Sequence, residues 1–260
     1  MSGGAQWSDL APRAVSGAIM AAVGAGAIWA GGVIFAALVS ALAGLMVWEA
    51  ARMFATPDSA VRSGIVAAVV LGLALWLPGV VVLPLLLAAA LVAVGPAARD
   101  RAPFLALAIW ALLGCYAMGL LRAEAGAVWI LWLVSVVIVS DLAGYFAGRS
   151  LGGPKFWPSI SPKKTWSGTV AGWLGAGVIG VIFAGPTGAG LALVPLSILV
   201  GFAGQMGDIA ESAAKRFCDV KDSSTLIPGH GGVLDRFDAM LGAALLSLIL
   251  WALGLLPGAA

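Results

Sequence analysis

From Ala14 to Trp48 the chain runs without a single charged residue, and few water-soluble folds could bury such a segment. At about 1.5 Å of rise per residue, roughly 20 residues cross the hydrocarbon core of a bilayer. The run is too long for one crossing and suits two, with Gly31-Gly32 as the natural break into a helical hairpin. Composition extends the argument to the whole chain. Of 260 residues, 62% are hydrophobic and 10% charged, and the mean hydropathy is +1.06. Soluble domains are about half apolar and a quarter charged. The expectation is an all-α polytopic membrane protein. A cleavable signal peptide is a poor reading of the N-terminus, where no small-residue cleavage site with a polar flank follows the apolar run.

Further spans are read at 61–77, 79–95, 103–121, 127–147, 167–184, 189–207 and 234–255, with Leu77-Pro78-Gly79 as the turn of a second hairpin. With the first two they make nine. If the N-terminus is cytoplasmic, Arg13, Arg52, Arg62, Arg99, Arg101, Arg149, Lys155, Lys163, Lys164, Lys215, Arg216, Lys221 and Arg236 all fall on one side. Only Arg122 falls on the other. The positive-inside rule therefore assigns the N-terminus and the charged loops to the cytoplasm. The many glycines and alanines suit close helix packing, and the tryptophans suit interfacial anchoring or packing.

The formal charge of +2 gives no argument for nucleic acid. What matters is where the charges lie, and they crowd between Asp208 and Asp238. A helical pattern continues from the eighth span through Phe217, so Asp208, Glu211, Ser212 and Lys215 share a face. The bland alternative is a solvated helix end with a Glu211–Lys215 ion pair. Ile227-Pro228-Gly229-His230-Gly231-Gly232 cannot be regular helix and suits a backbone that approaches a ligand closely. It leads into Asp235 and Asp238, three apart on one helical face. With Asp208 from another helix, they would form an acidic site for a hard cation such as Mg²⁺. His230, the only histidine, has no partner at zinc-site spacing and is read as a phosphate or substrate contact. Cys115 and Cys218 suggest no disulfide.

A second basic loop holds Arg149, Lys155 and the run Ser161-Pro162-Lys163-Lys164-Thr165-Trp166-Ser167-Gly168, just before a helix start. Free N–H groups there, with Lys163 and Lys164, suit a polyphosphate or lipid phosphate. Pairing with anionic headgroups is the plainer reading. Asp141 lies inside an apolar span, where a charge is costly and usually functional; a salt bridge to a neighbouring helix is its structural alternative.

The order Ser212, Lys215-Arg216, Lys221-Asp222, Pro228-Gly229-His230-Gly231-Gly232, Asp235-Arg236 and Asp238 resembles the signature of phosphatidate cytidylyltransferases. Ser161 to Trp166 and Asp141 to Gly148 are similar to further motifs of that family, so the resemblance covers roughly residues 140 to 240. Ser167 departs from it, since family members often carry Glu or Gln there. The resemblance implies transfer of the cytidylyl group of CTP to phosphatidate, with Mg²⁺ required and a second cation optional. Asp208 and Asp235 are the expected metal ligands. Asp238 and Asp141 would support them, and Lys163, Lys164, Lys215, Arg216, Lys221 and Arg236 would meet phosphates, with Ser212 and His230 also facing substrate. It also implies a homodimer. Residues 1–125 would be N-terminal transmembrane helices and 126–260 the catalytic region, with the active site at the cytosolic ends of the helices. The alanine- and glycine-rich composition points to a bacterial inner membrane. A transferase or kinase acting on another lipid or polyprenyl phosphate, and an ion-coupled transporter, are the competing readings.

Overall fold

The computed structural model describes residues 10–54, 57–95 and 100–258; Arg99 lies outside the described residues. Among these, nine α-helices follow one another: α1 (Leu10–Ala30), α2 (Gly32–Phe54), α3 (Pro57–Ala74), α4 (Gly79–Val94), α5 (Arg101–Leu120), α6 (Ala127–Leu151), α7 (Trp166–Ala184), α8 (Leu193–Phe217) and α9 (Leu234–Ala252). The α1, α2 and α6 to α8 helices are each part of a segment long and apolar enough to cross a membrane, as is α5 with its π-helical end; α3 and α4 are shorter apolar helices. Large apolar side chains such as Trp29, 88% exposed, and Val80, 84% exposed, face outward. Water would penalise such a surface and lipid tails would not. The protein is an integral membrane protein.

The chain punctuates itself where backbone chemistry demands it. Gly31 and Gly32 both have positive φ, 64° and 48°, a region costly for residues with a Cβ. They end α1 and start α2 at the expected break. Leu75 to Pro78 turn between α3 and α4, again where Leu77-Pro78-Gly79 pointed. The eighth expected span agrees with the helical pattern read beyond it. Its helix runs on as a single α8 to Phe217, carrying Asp208, Glu211, Ser212 and Lys215 on regular helix.

The all-helical framework carries one small sheet. The basic loop after α6 folds as a small antiparallel hairpin, β1 (Lys155–Trp157) with β2 (Ser161–Thr165), pairing Lys155 with Thr165 and Trp157 with Ser161. Phe156 and Trp166 pack edge to face across it, ring centroids 4.7 Å apart.

Two compact units make up the fold: Met1–Leu112 with Phe217–Phe237, and Leu113–Arg216 with Asp238–Ala260. In the first, α2 and α3 approach so closely that a Cβ on Gly44 would lie 2.8 Å from the Gly64 carbonyl oxygen, and one on Gly64 would meet Gly44 in return. Phe54 stacks on both Phe104 and Phe217. In the second unit the α6–α7 seam is equally tight, since Gly168 faces the Gly144 carbonyl and Gly172 faces Ser140 and Gln205. Small residues here let backbones touch, which is how apolar helices gain packing energy in lipid. Trp132 is fully buried and donates its indole N–H to Ser197 Oγ at 2.9 Å, a packing role for one of the tryptophans.

Candidate functional site

In the second unit, three carboxylates and two lysines make one electrostatic neighbourhood. Asp208 on α8 takes Lys164 Nζ of β2 at 2.6 Å on Oδ2 and the Ser212 hydroxyl at 3.4 Å on Oδ1. Lys164 also donates to the Gln205 carbonyl at 3.1 Å, so β2 is fastened to α8 through this one side chain. Asp141 on α6 feels the charges of Asp208 and Lys164. Asp238 on α9 feels Asp208, Asp141 and Lys215, and its Oδ1 accepts the Ala239 N–H at 2.7 Å. One helical turn beyond Asp208, Glu211 is 0% exposed and pairs with Lys215 at 2.5 Å. The plain reading of that pair is therefore correct as geometry, although the pair is buried, not solvated.

Strand alternation sends successive side chains to opposite faces. Lys163 is accordingly exposed while Lys164 turns inward. The helix start behind them is capped from within: Thr165 Oγ1 accepts the Gly168 N–H at 3.2 Å. Ser167, where the sequence departs from the family pattern, donates its hydroxyl to the Gly152 carbonyl at 2.5 Å and lies 3.0 Å from Thr165 Oγ1. Its work here is to fasten the hairpin's entry to its exit.

In the first unit the Ser223–Asp235 segment closes on two carboxylates. Asp235, 7% exposed, accepts on Oδ2 from Ser223 N at 2.9 Å, Ser223 Oγ at 2.8 Å and Gly232 N at 2.7 Å. Ile227 to Gly231 forms a tight turn closed by Ile227 N to Gly231 O at 2.8 Å, and Gly231 has φ 81°. Arg236 Nε donates to the His230 carbonyl at 3.0 Å. His230 Nδ1 lies 2.8 Å from Ser16 Oγ, which joins the turn to α1. Arg216 and Lys221 are exposed.

Sequence reasoning missed two residues here. Glu49 on α2, 0% exposed, accepts from Ser224 Oγ at 2.7 Å and Val233 N at 2.8 Å on Oε1, and from Leu234 N at 2.7 Å on Oε2. Its signal was present, an acid just beyond the uncharged N-terminal run. Gln205 on α8 accepts the Trp173 indole N–H at 3.0 Å and donates to the Thr169 carbonyl at 3.2 Å and Ser140 Oγ at 3.4 Å. An uncharged amide in an apolar helix gives a weaker signal.

The sequence matches the Cytidylyltransferase family over residues 11–253, nearly the whole chain. The chain belongs to that family. Its C-terminal polar clusters are thus those of a cytidylyltransferase-family protein. Among relatives, it is 44% identical over 140 residues to a phosphatidate cytidylyltransferase of Brucella suis, covering 52% of each chain. It is 43% identical over 119 residues to one from Bacillus subtilis, covering 45% of this chain and 44% of that protein. With a Helicobacter pylori protein of the same name it shares 40% over 147 residues, 55% and 53% of the two chains. The chain spans about half the length of the curated relatives it matches.

Family resemblance implies Mg²⁺, and the residues can be tested against it. Among the described residues no three of His, Cys, Asp and Glu are grouped so as to hold a metal ion. Mg²⁺ usually takes only one or two protein carboxylates and completes its shell with waters and substrate phosphates. A set of oxygen donors that includes Asp208, held by an exchangeable lysine, fits that habit. A site closed by protein ligands alone would not.

Proposed function

We propose that the protein transfers the cytidylyl group of CTP to phosphatidate, giving CDP-diacylglycerol and pyrophosphate. The observation that carries this reading is the grouping of Asp141, Asp208 and Asp238 with Lys164 and Lys215 in a membrane-embedded chain of this family. The names of its relatives agree with it. In the reaction an oxygen of the phosphatidate phosphate bonds to the α-phosphorus of CTP. The bond from that phosphorus to the oxygen bridging to the β-phosphorus breaks, and pyrophosphate leaves with the electron pair. The nucleophile is a phosphate monoester with a second pKa of about 6 to 7, by analogy with phosphorylated side chains. It is largely ionised at neutral pH and needs no strong general base.

The protein's task is then to position two anions and offset their charge. In the second unit Asp208 is the carboxylate assigned to Mg²⁺, with Asp238 and Asp141 in support; in the first, Asp235 carries the same assignment. Bound Mg²⁺ would neutralise charge on the triphosphate and its leaving group. Lys164 and Lys215, now paired with Asp208 and Glu211, are placed to turn toward phosphate when substrate arrives, while Lys163, Arg216, Lys221 and Arg236 supply outer positive charge. Ser212 and His230 complete the substrate contacts. Nine membrane crossings, with the polar clusters at the cytosolic helix ends of a bacterial inner membrane, would let CTP arrive from water and phosphatidate from the bilayer.

The test is pyrophosphate release by the purified protein in mixed lipid micelles, from CTP and phosphatidate, with and without Mg²⁺. Release that needs all three and is lost in Asp208→Asn supports the reading. Metal-dependent release with another lipid phosphate, but not phosphatidate, would move the assignment to a different acceptor. No release from a folded preparation with any lipid phosphate would overturn it.

A further inference from the structure

Glu49 lies on α2, far in sequence from every family motif, and the proposed chemistry makes no use of it. Yet its fully buried carboxylate is where the Ser223–Leu234 segment ends. Val233 N and Leu234 N, two of the N–H groups left open at the start of α9, both donate to it, as does the Ser224 hydroxyl. A negative charge at a helix N-terminus is favourable, and buried N–H groups without acceptors are costly. The Ser223 hydroxyl lies 3.2 Å from Glu49 Oε2 and 2.8 Å from Asp235 Oδ2. It has one proton, so it serves one carboxylate at a time. Packing leaves no slack: a Cβ on Gly232 would fall on Ser223 Oγ and on Glu49 Oε1.

We propose that Glu49 is a positioning residue for the transfer reaction: it fixes the start of α9 and, through Ser223 and Gly232, the orientation of Asp235. This rests on the function proposed above. Glutamine cannot replace it. With its oxygen at the Oε1 position it keeps Ser224 and Val233, but its NH₂ then confronts the Leu234 N–H, donor against donor. Residues that orient a metal-binding carboxylate typically change activity or metal affinity by about 10- to 100-fold when altered.

The experiment uses the full chain in lipid micelles, comparing wild type with Glu49→Gln by hydrogen–deuterium exchange of residues 222–236 without metal or substrate, by thermal unfolding, and by pyrophosphate release across a Mg²⁺ titration. The expected result is faster exchange confined to this segment, a fold that persists, a kcat lower by about tenfold or more, and a Mg²⁺ half-saturation raised about tenfold. Unchanged exchange, or looser exchange with unchanged kcat and Mg²⁺ requirement, would overturn the proposal. If Glu49→Gln does not fold, Ser224→Ala carries the same comparison with one donor removed. There, faster Val233 exchange with a raised Mg²⁺ requirement supports the proposal, and no change in either sinks it. A wild-type protein that releases no pyrophosphate would overturn the transferase reading and the catalytic half of this proposal, while exchange would still decide whether Glu49 anchors the segment.

Discussion

The two units of the molecule hold Glu49 and Asp235, in the first, and Asp208 and Glu211, in the second, in opposite ways. In the first, Glu49 and Asp235 accept from backbone N–H groups and hydroxyls, which are neutral donors. In the second, Asp208 and Glu211 are each held by a lysine. Backbone donors cannot leave without unfolding the segment that bears them. A lysine on a flexible stem can exchange one anion for another. The first arrangement therefore fixes a backbone, and the second leaves charges that another anion can compete for.

That contrast is sharpest at Asp208. Asp208→Asn should lower pyrophosphate release by more than about a hundredfold with little change in unfolding temperature, measured on the same preparation. If the loss of activity comes with a collapse of stability, Asp208 is structural and the contrast fails. Glu211→Gln should do the reverse and strike the fold, because it removes the carboxylate that Lys215 pairs with in a largely buried setting. Removing one partner of a buried pair costs about 3–5 kcal/mol, readable as a shift in denaturant unfolding. Replacing both, as in Glu211→Leu with Lys215→Met, should recover much of that stability and no activity.

Gly172→Ala tests packing apart from charge. A Cβ there would meet Gln205, Ser140 Oγ and the Ser140 carbonyl, and overpacking of this kind costs about 1–3 kcal/mol. The loss should appear in unfolding and leave the salt dependence of activity unchanged. Lys164→Gln should cost about tenfold in CTP-dependent rate, since it removes one charge from an exchangeable set and leaves others.

The smallest effect concerns Cys218. Burial, with Asp100 nearby, pushes its thiol up to about 11, so about one part in a thousand is thiolate at pH 8. Alkylation at this position should be slow near neutrality and quicken about tenfold per pH unit up to roughly pH 10. A fast reaction at pH 7 would show a more open α8–α9 connection than the structure has.

What could be read from sequence follows the same division between local and distant causes. Gly31-Gly32 and Leu77-Pro78-Gly79 announced their turns because backbone chemistry is local. The regular helix from Asp208 to Lys215 was legible from spacing alone, as was the Glu211–Lys215 contact. The β1–β2 hairpin was not, because its two strands are only three and five residues long, with Pro158 in the turn between them and Pro162 inside β2. Glu49 stands in plain view beyond the uncharged run, but its role was hidden for another reason. Its donors lie more than 170 positions away, and no periodicity encodes a partner at that range. Asp235 could be singled out as important, but only the fold shows which of its oxygens carries the loop.

Gln205 adds a consequence of its own. Its amide joins α8 to Trp173, Thr169 and Ser140, and it carries no charge that pH or salt could alter. Asp208 lies one turn further along the same helix, held by a contact that salt and competing anions do weaken. Ionic strength should therefore act on this helix unevenly. It would loosen the tie between β2 and α8 at Asp208 and leave the Gln205 amide contacts in place.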